Sequence, residues 1–97
     1  MNVGVCKINL RLPENDTLKG KRMVVQSVIA RVQDKFHVSV AEVANGDKWQ
    51  IATIGVCYVS NDHRHTNEVI SKIMDYIVNT RLDVEVLDCE TEFLNVF

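Results

Sequence analysis

Lys19, Lys21 and Arg22 place three cations within four residues, immediately after a stretch suited to opening a helix. In the first two turns of a helix they oppose its dipole, at about 0.3–1 kcal/mol each when exposed. An anion held by free backbone N–H groups and these side chains would offset that cost. Glu14 and Asp16, just upstream, would offset it without any ligand. Lys7 and Arg11 precede the trio and could reach the same end of the molecule, so all five cations are candidate phosphate contacts.

Other reactive side chains are less well placed. His63 and His65, with Asp62 beside them, have a spacing that two metal ligands could use in a loop, but i and i+2 side chains diverge at a helix start and no third or fourth ligand is evident. Cys6, Cys57 and Cys89 fall on three separate strand-like segments without a Cys-x-x-Cys pair, which suits small buried hydrophobes. Asp88, Glu90 and Glu92 alternate along one segment and read as a solvated edge, not as an acid–base pair. No nucleophile–base pair can be assembled, so the residues support no enzyme and imply no metal or cofactor.

The elements that must carry these groups follow from periodicity. In residues 2–12, Cys6, Ile8 and Leu10 alternate with Lys7, Asn9 and Arg11, as in a half-buried strand. Val3 and Val5 belong to the second, otherwise polar face. Pro13 breaks the chain, and Thr17 is a suitable N-cap. Leu18, Val25, Val28, Ile29, Val32 and Phe36 then share one face of a long helix, which ends near His37, a capping cation. Val38 to Val43 is β-branched, Asn45-Gly46-Asp47 signals a tight turn, and Gln50 to Val59 is the returning strand. Ser60-Asn61-Asp62 supplies caps for a second helix through Val69, Ile70, Ile73, Met74 and Ile77, ending around Asn79. From Val84 onward, Glu85, Leu87 and Cys89 oppose Val84, Val86 and Asp88, and the segment is long enough to run past a sheet.

The order β-α-β-β-α-β predicts an α+β, ferredoxin-like sandwich: a four-stranded antiparallel sheet with two helices on one face and the other face open. The outward positions of the first and third strands are Val3, Val5, Lys7 and Thr53, Gly55, Cys57, Val59, none of them aromatic. Bases therefore have nothing to stack on. An exposed apolar strip of Val3, Val5, Cys57 and Val59 reads instead as an interface with a second copy. An anion cradle after the first strand would need glycine, and residues 12–16 contain none. Trp49, after the hairpin turn, fits either a plug over the core or an exposed contact residue.

Composition bounds the rest. At 97 residues, 46% hydrophobic and 25% charged, the chain suits a single globular domain. No apolar run approaches the roughly 20 residues that span a bilayer, and three cysteines suit a reducing cytoplasm better than a secreted scaffold. Residues 1–48 hold eight basic and five acidic side chains, a charge of +3; residues 49–97 hold three and eight, a charge of -5. Such a dipolar chain could present a basic patch to phosphate, or pair with itself.

Five stretches resemble the YlxP-like family of small bacterial proteins: Val3 to Glu14, Leu18-Lys19 with Lys21-Arg22, Val38 to Val43 with Trp49-Gln50, Val59 to Asp62, and Leu87 to Glu90. The resemblance implies a ferredoxin-like fold in a bacterial cytoplasmic protein, and a gene neighbourhood shared with translation-initiation and ribosome-maturation factors. It departs from the family at Gly20, where an acidic residue is usual; without it the N3 arm of a capping box is missing and the helix start should fray. Two functions remain. One is a non-enzymatic module contacting RNA or the ribosome through Lys7, Arg11, Lys19, Lys21 and Arg22. The other is a homodimeric or small-anion-binding domain that uses the open face of the sheet.

Overall fold

A computed structural model describes all 97 residues. The elements are β1 (Asn2–Arg11), α1 (Leu18–Phe36), β2 (Ser39–Ala44), β3 (Ile51–Ser60), α2 (His63–Thr80) and β4 (Glu85–Asn95). The strands form one antiparallel sheet in the order β2-β3-β1-β4, so each helix crosses over between two parallel strands separated by a third. This is the ferredoxin-like α+β fold that the element order predicts. No helix is long and apolar enough to cross a membrane.

The core lies between the helices and one face of the sheet. Cys6, Ile8 and Leu10 of β1, Ala52, Ile54 and Val56 of β3, and Val40 of β2 meet Val25, Val28 and Val32 of α1 and Ile70, Ile73 and Ile77 of α2. Helix α2 settles closely on β1 because position 4 carries no side chain. A Cβ on Gly4 would lie 2.3 Å from Thr66 Cγ2 and 3.0 Å from Ile70 Cδ1. Thr66 is itself fully buried; its hydroxyl meets Ser60 Oγ at 2.7 Å and donates to the carbonyl of Asp62, the N-cap of α2.

The start of α1 does not depend on a capping box. Thr17 Oγ1 accepts the Gly20 N–H at 2.9 Å, and Asn15 Nδ2 donates to the carbonyls of Thr17 and Trp49. Gln50 Nε2 returns a bond to Asn15 O, tying the helix entry to β3. The expectation of a frayed start is thus corrected. The Asn15 amide fills the space above residue 20, where a Cβ would come within 2.3 Å of Asn15 Oδ1, so glycine there permits a different lock. At the other end, His37 caps through its backbone: it adopts the left-handed conformation (φ 54°) and its N–H donates to Gln33 O.

Strand β4 departs from strict alternation. A register shift opposite Asn9 and Leu10 leaves Leu87 as an extra residue. Beyond it the phase is reset: Val86 pairs with Leu10 and Cys89 with Ile8, so both lie on the helix side, while Asp88, Glu90 and Glu92 oppose Asn9, Lys7 and Val5 on the open side. Nor does the final segment run past the sheet: Asn95 pairs with Asn2, and Val96 N–H reaches Met1 O at 2.9 Å.

Gly4→Ala is expected to overpack the α2–β1 contact and destabilise the protein by about 1–3 kcal/mol. A urea titration of both proteins reads this directly; an unchanged midpoint would show that α2 can move away without cost.

Candidate functional site

The basic trio does not act as a unit. Lys21 lies one turn before Val25 on the buried seam of α1, and its side chain is 1% exposed. Its Nζ donates to Asn45 O and lies 3.2 Å from Glu42 Oε2, which has no other donor. Glu42 faces the helices because it follows Val40 in the inward phase of β2. Lys21 is thereby removed from the set of candidate phosphate contacts: an ammonium this deep must be paired within the chain, since burying it unpaired would cost several kcal/mol.

The remaining four cations are dispersed. Lys7 and Arg11 project from β1 on the open side, each towards an acid of β4: Lys7 Nζ to Glu90 Oε2 at 3.5 Å, Arg11 Nη1 to Glu85 Oε2 at 3.9 Å. All four side chains are about half exposed or more, and pairs of this kind contribute roughly 0–1 kcal/mol. Lys19 and Arg22 stand exposed on the helix layer without a carboxylate partner, and the first turn of α1 contains no acid.

The open side of the sheet is a continuous surface whose rows follow from the strand registers. Leu94, Val3 and Val59 form the row at one end; Glu92, Val5, Cys57 and Ser39 the next; then Glu90, Lys7, Gly55 and Ala41; then Asp88, Asn9, Thr53 and Ala44; and Glu85, Arg11 and Ile51 close the other end. One end is apolar, the other charged, and the β4 column is acidic. In the middle, the lack of a side chain at Gly55 and the small side chains of Ala41 and Cys57 leave a shallow depression of about 510 Å³. Val43 walls it, its Cγ1 lying 3.1 Å from where a Cβ on Gly55 would stand, and Glu90 and Glu92 rim the far side.

A hydrogen-bonded relay crosses this surface near its charged end. Asn45 Nδ2 donates to Thr53 Oγ1 (2.8 Å), Thr53 to Asn9 Oδ1 (2.7 Å), and Asn9 Nδ2 to Asp88 Oδ1 (2.6 Å). Since Asn45 O also accepts from Lys21, one polar chain runs from the buried ammonium through the hairpin turn and across β3, β1 and β4. Its Thr53 is 2% exposed despite lying on the open side.

The other candidates separate. His63 stacks edge-on against Phe93 at 4.3 Å, whereas His65 Nε2 meets Tyr58 Oη at 3.0 Å, so the two rings serve different neighbours. Trp49 is 55% exposed, which settles it as a surface residue. The cysteines are not three buried hydrophobes: Cys6 is buried, Cys57 half-buried and Cys89 exposed. Sequence reading kept Cys6 and Cys89 apart, yet pairing of β1 with β4 brings their Sγ atoms to 2.8 Å. Only the order of the strands could have revealed that contact.

Lys21→Met should destabilise by about 2–4 kcal/mol, because it strands Glu42 against the helices; the partial exposure of Glu42 keeps the loss below that of a fully buried pair. Lys19→Ala and Arg22→Ala should stay within about 0.5 kcal/mol of wild type. Urea titrations of the three variants check the contrast; equal losses would contradict the separation.

Among solved structures, the chain resembles LarC2, the C-terminal domain of a cyclometallase involved in synthesis of the NPN cofactor of lactate racemase (TM-score 0.53, 10% identity, 97% of this chain and 55% of that one). It also resembles the de novo designed protein Foldit4 (TM-score 0.51, 14% identity, full coverage of both). A third likeness is to the VAO-type flavoprotein MtVAO615 from Myceliophthora thermophila C1 (TM-score 0.54, 13% identity, 96% of this chain), of which it spans only 16%. At such identities these show the fold alone. In sequence, the chain is 29% identical over 75 residues to the "Uncharacterized protein YlxP" of Bacillus subtilis (strain 168), covering 77% of this chain and 82% of that protein. Residues 3–91 match the family described as "Protein of unknown function (DUF503)", and the chain belongs to that family.

Proposed function

We propose that this protein is a non-enzymatic interaction module that works as a homodimer through the open face of its sheet. The observation that carries this reading is the unbroken apolar end of that face: Val3, Val5, Cys57, Val59 and Leu94 lie together, with Val59 55% and Leu94 47% exposed. Area supports it. Three strands of ten or eleven residues and one of six, at about 3.3 Å per residue and about 4.8 Å between strands, give a face of roughly 600 Å² in projection, more once corrugated. That is close to the roughly 800 Å² per partner of a standard interface.

Charge chooses the arrangement. Stacking two copies about a two-fold axis across the strands would lay each acidic β4 column on its own image and reverse the rows, setting apolar ends on charged ones. A two-fold along the strands places β4 of one copy over β2 of the other, where Ser39, Ala41 and Ala44 are uncharged, and keeps apolar rows together. In that arrangement Lys7 of one copy faces Gly55 of the other, and its aliphatic stem enters the depression there.

Phosphate recognition through the start of α1 is the weaker reading, because of the five candidate cations only Lys19 and Arg22 remain exposed and unpaired. Two contacts give a log–log salt slope of at most about -1.8 and only marginal affinity at physiological salt.

Sedimentation equilibrium over a concentration series should give a dimer, and Val59→Asp should yield a folded monomer with an unchanged far-ultraviolet spectrum. A wild-type monomer at all concentrations would overturn the proposal. So would a dimer insensitive to Val59→Asp. If labelled ribosomal RNA binds instead, in a salt-dependent way abolished by Lys19→Ala with Arg22→Ala, the module acts through α1.

A further inference from the structure

The strand pairing that organises the sheet also builds a dithiol. Cys6 opposes Thr91 and Cys89 opposes Ile8, so the two cysteines are diagonal neighbours on the helix side of the β1–β4 ladder, within mutual reach although 83 residues apart in sequence. Their Sγ atoms are 2.8 Å apart, against roughly 2.03–2.05 Å in a disulfide. Thr91 Oγ1 lies 3.7 Å from each sulfur and spans the pair. The bulge at Leu87, two residues before Cys89, gives β4 the local freedom to complete the approach.

Exposure assigns the two thiols different roles. Cys6 is 3% exposed beneath the helices, whereas Cys89 lies where the helix layer leaves β4 open to solvent. Burial, reinforced by contact with Cys89, pushes the Cys6 thiol up to about 12, so it stays protonated and out of reach of an oxidant on its own. Cys57 projects on the opposite side of the sheet, opposite Val5, and cannot take part.

We propose that Cys89 and Cys6 form an oxidant-responsive pair, in which Cys89 meets a hydroperoxide and Cys6 resolves it to an intrachain disulfide. In the first step Cys89 Sγ, as thiolate, attacks the O–O bond of hydrogen peroxide. An S–O bond forms, the O–O bond breaks, and hydroxide leaves to take up a proton as water; sulfur is oxidised by two electrons to a sulfenic acid as the peroxide is reduced. In the second, Cys6 Sγ attacks Cys89 Sγ, the S–S bond forms, the S–O bond breaks, and the departing hydroxide carries off the Cys6 proton as a second water. Two thiols and one peroxide give one disulfide and two waters. A dithiol reductant reverses the change by exchange. The bridge would pin the edge strand β4 to the central strand β1 without touching the open face, so it is independent of the dimer.

The test treats the full wild-type chain with limiting hydrogen peroxide, followed by alkylation under denaturing conditions and peptide mapping. The expected result is loss of two of the three alkylatable thiols, a Cys6–Cys89 linked peptide, and recovery of all three after dithiothreitol. Cys57→Ser should form the same bridge and lose both of its two alkylatable thiols. Cys6→Ser should leave a Cys89 sulfenic acid that dimedone traps. All three thiols still alkylating would overturn the proposal, as would a bridge through Cys57, or over-oxidation of Cys89 with Cys6 still free.

Discussion

A buried ammonium constrains this molecule more than any single apolar contact. Lys21 sits in the seam formed by Val25, Val28 and Val32, and nothing in the apolar layer can replace its hydration. Two groups do so. Glu42 must point inward from β2, and the β2–β3 turn must present the Asn45 carbonyl to Nζ. Asn45 meets that demand in the left-handed conformation (φ 62°), which asparagine tolerates better than most residues. Helix α1, strand β2 and the hairpin turn are thus locked in one relative placement by geometry that apolar packing would leave loose. Whether such a pair adds net stability over hydrophobic replacements is secondary to the specificity it confers.

The lock extends through the sheet. Asn45 passes its constraint to Thr53, Asn9 and Asp88, so the row of the open face nearest the turn is hydrogen-bonded from edge to edge. Beyond it, towards Val3 and Val59, the face has no such polar closure and presents side chains that water solvates poorly. The charge imbalance between the two halves of the sequence gains a spatial meaning here. Four of the eight acids of the second half, Glu85, Asp88, Glu90 and Glu92, form one column on β4, where Lys7 and Arg11 of β1 partly neutralise them, while the other cations of the first half are dispersed over α1 and the hairpin turn or buried. A molecule arranged this way has no concentrated positive field to offer phosphate.

The fold was legible because every element carries its own period. The apolar spacing of α1, the alternation in β1 and the Asn45-Gly46 turn agree with one another, and the strand phase named the open-face residues Val3, Val5, Cys57 and Val59 correctly. The site was less legible, for reasons that lie in pairing. Lys21 stands four residues before Val25, squarely on the apolar face, and Glu42 shares the phase of Val38 and Val40; two opposite charges on facing apolar stripes were a signal of a buried pair. The Cys6–Cys89 contact carried no local signal, because it depends on which strand neighbours β1. The reset phase of β4 was hidden for a related reason: a bulge is a property of two strands, and the alternation of one cannot show where its partner slips. At Gly20 the local rule failed in the other direction. A missing capping carboxylate was read as weakness, whereas the space it vacates holds Asn15.

The edges of the sheet explain why association should use its face. Strand β4 is an edge of eleven residues, long enough to recruit another strand by its free backbone groups. Glu85, Asp88, Glu90 and Glu92 lie along it, and edge-to-edge pairing with a second β4 would bring eight carboxylates, four from each strand, together around one ladder. The opposite edge, β2, is only six residues long and broken by the register shift at Val43, so it offers a short and irregular template. Both edges are thus blunted, one by charge and one by length and shape, while the apolar end of the open face carries no comparable guard. A chain that protects its edges and leaves Val59 and Leu94 uncovered beside half-buried Val3 directs self-recognition to the one surface where burial is favourable and the acids can remain at the rim.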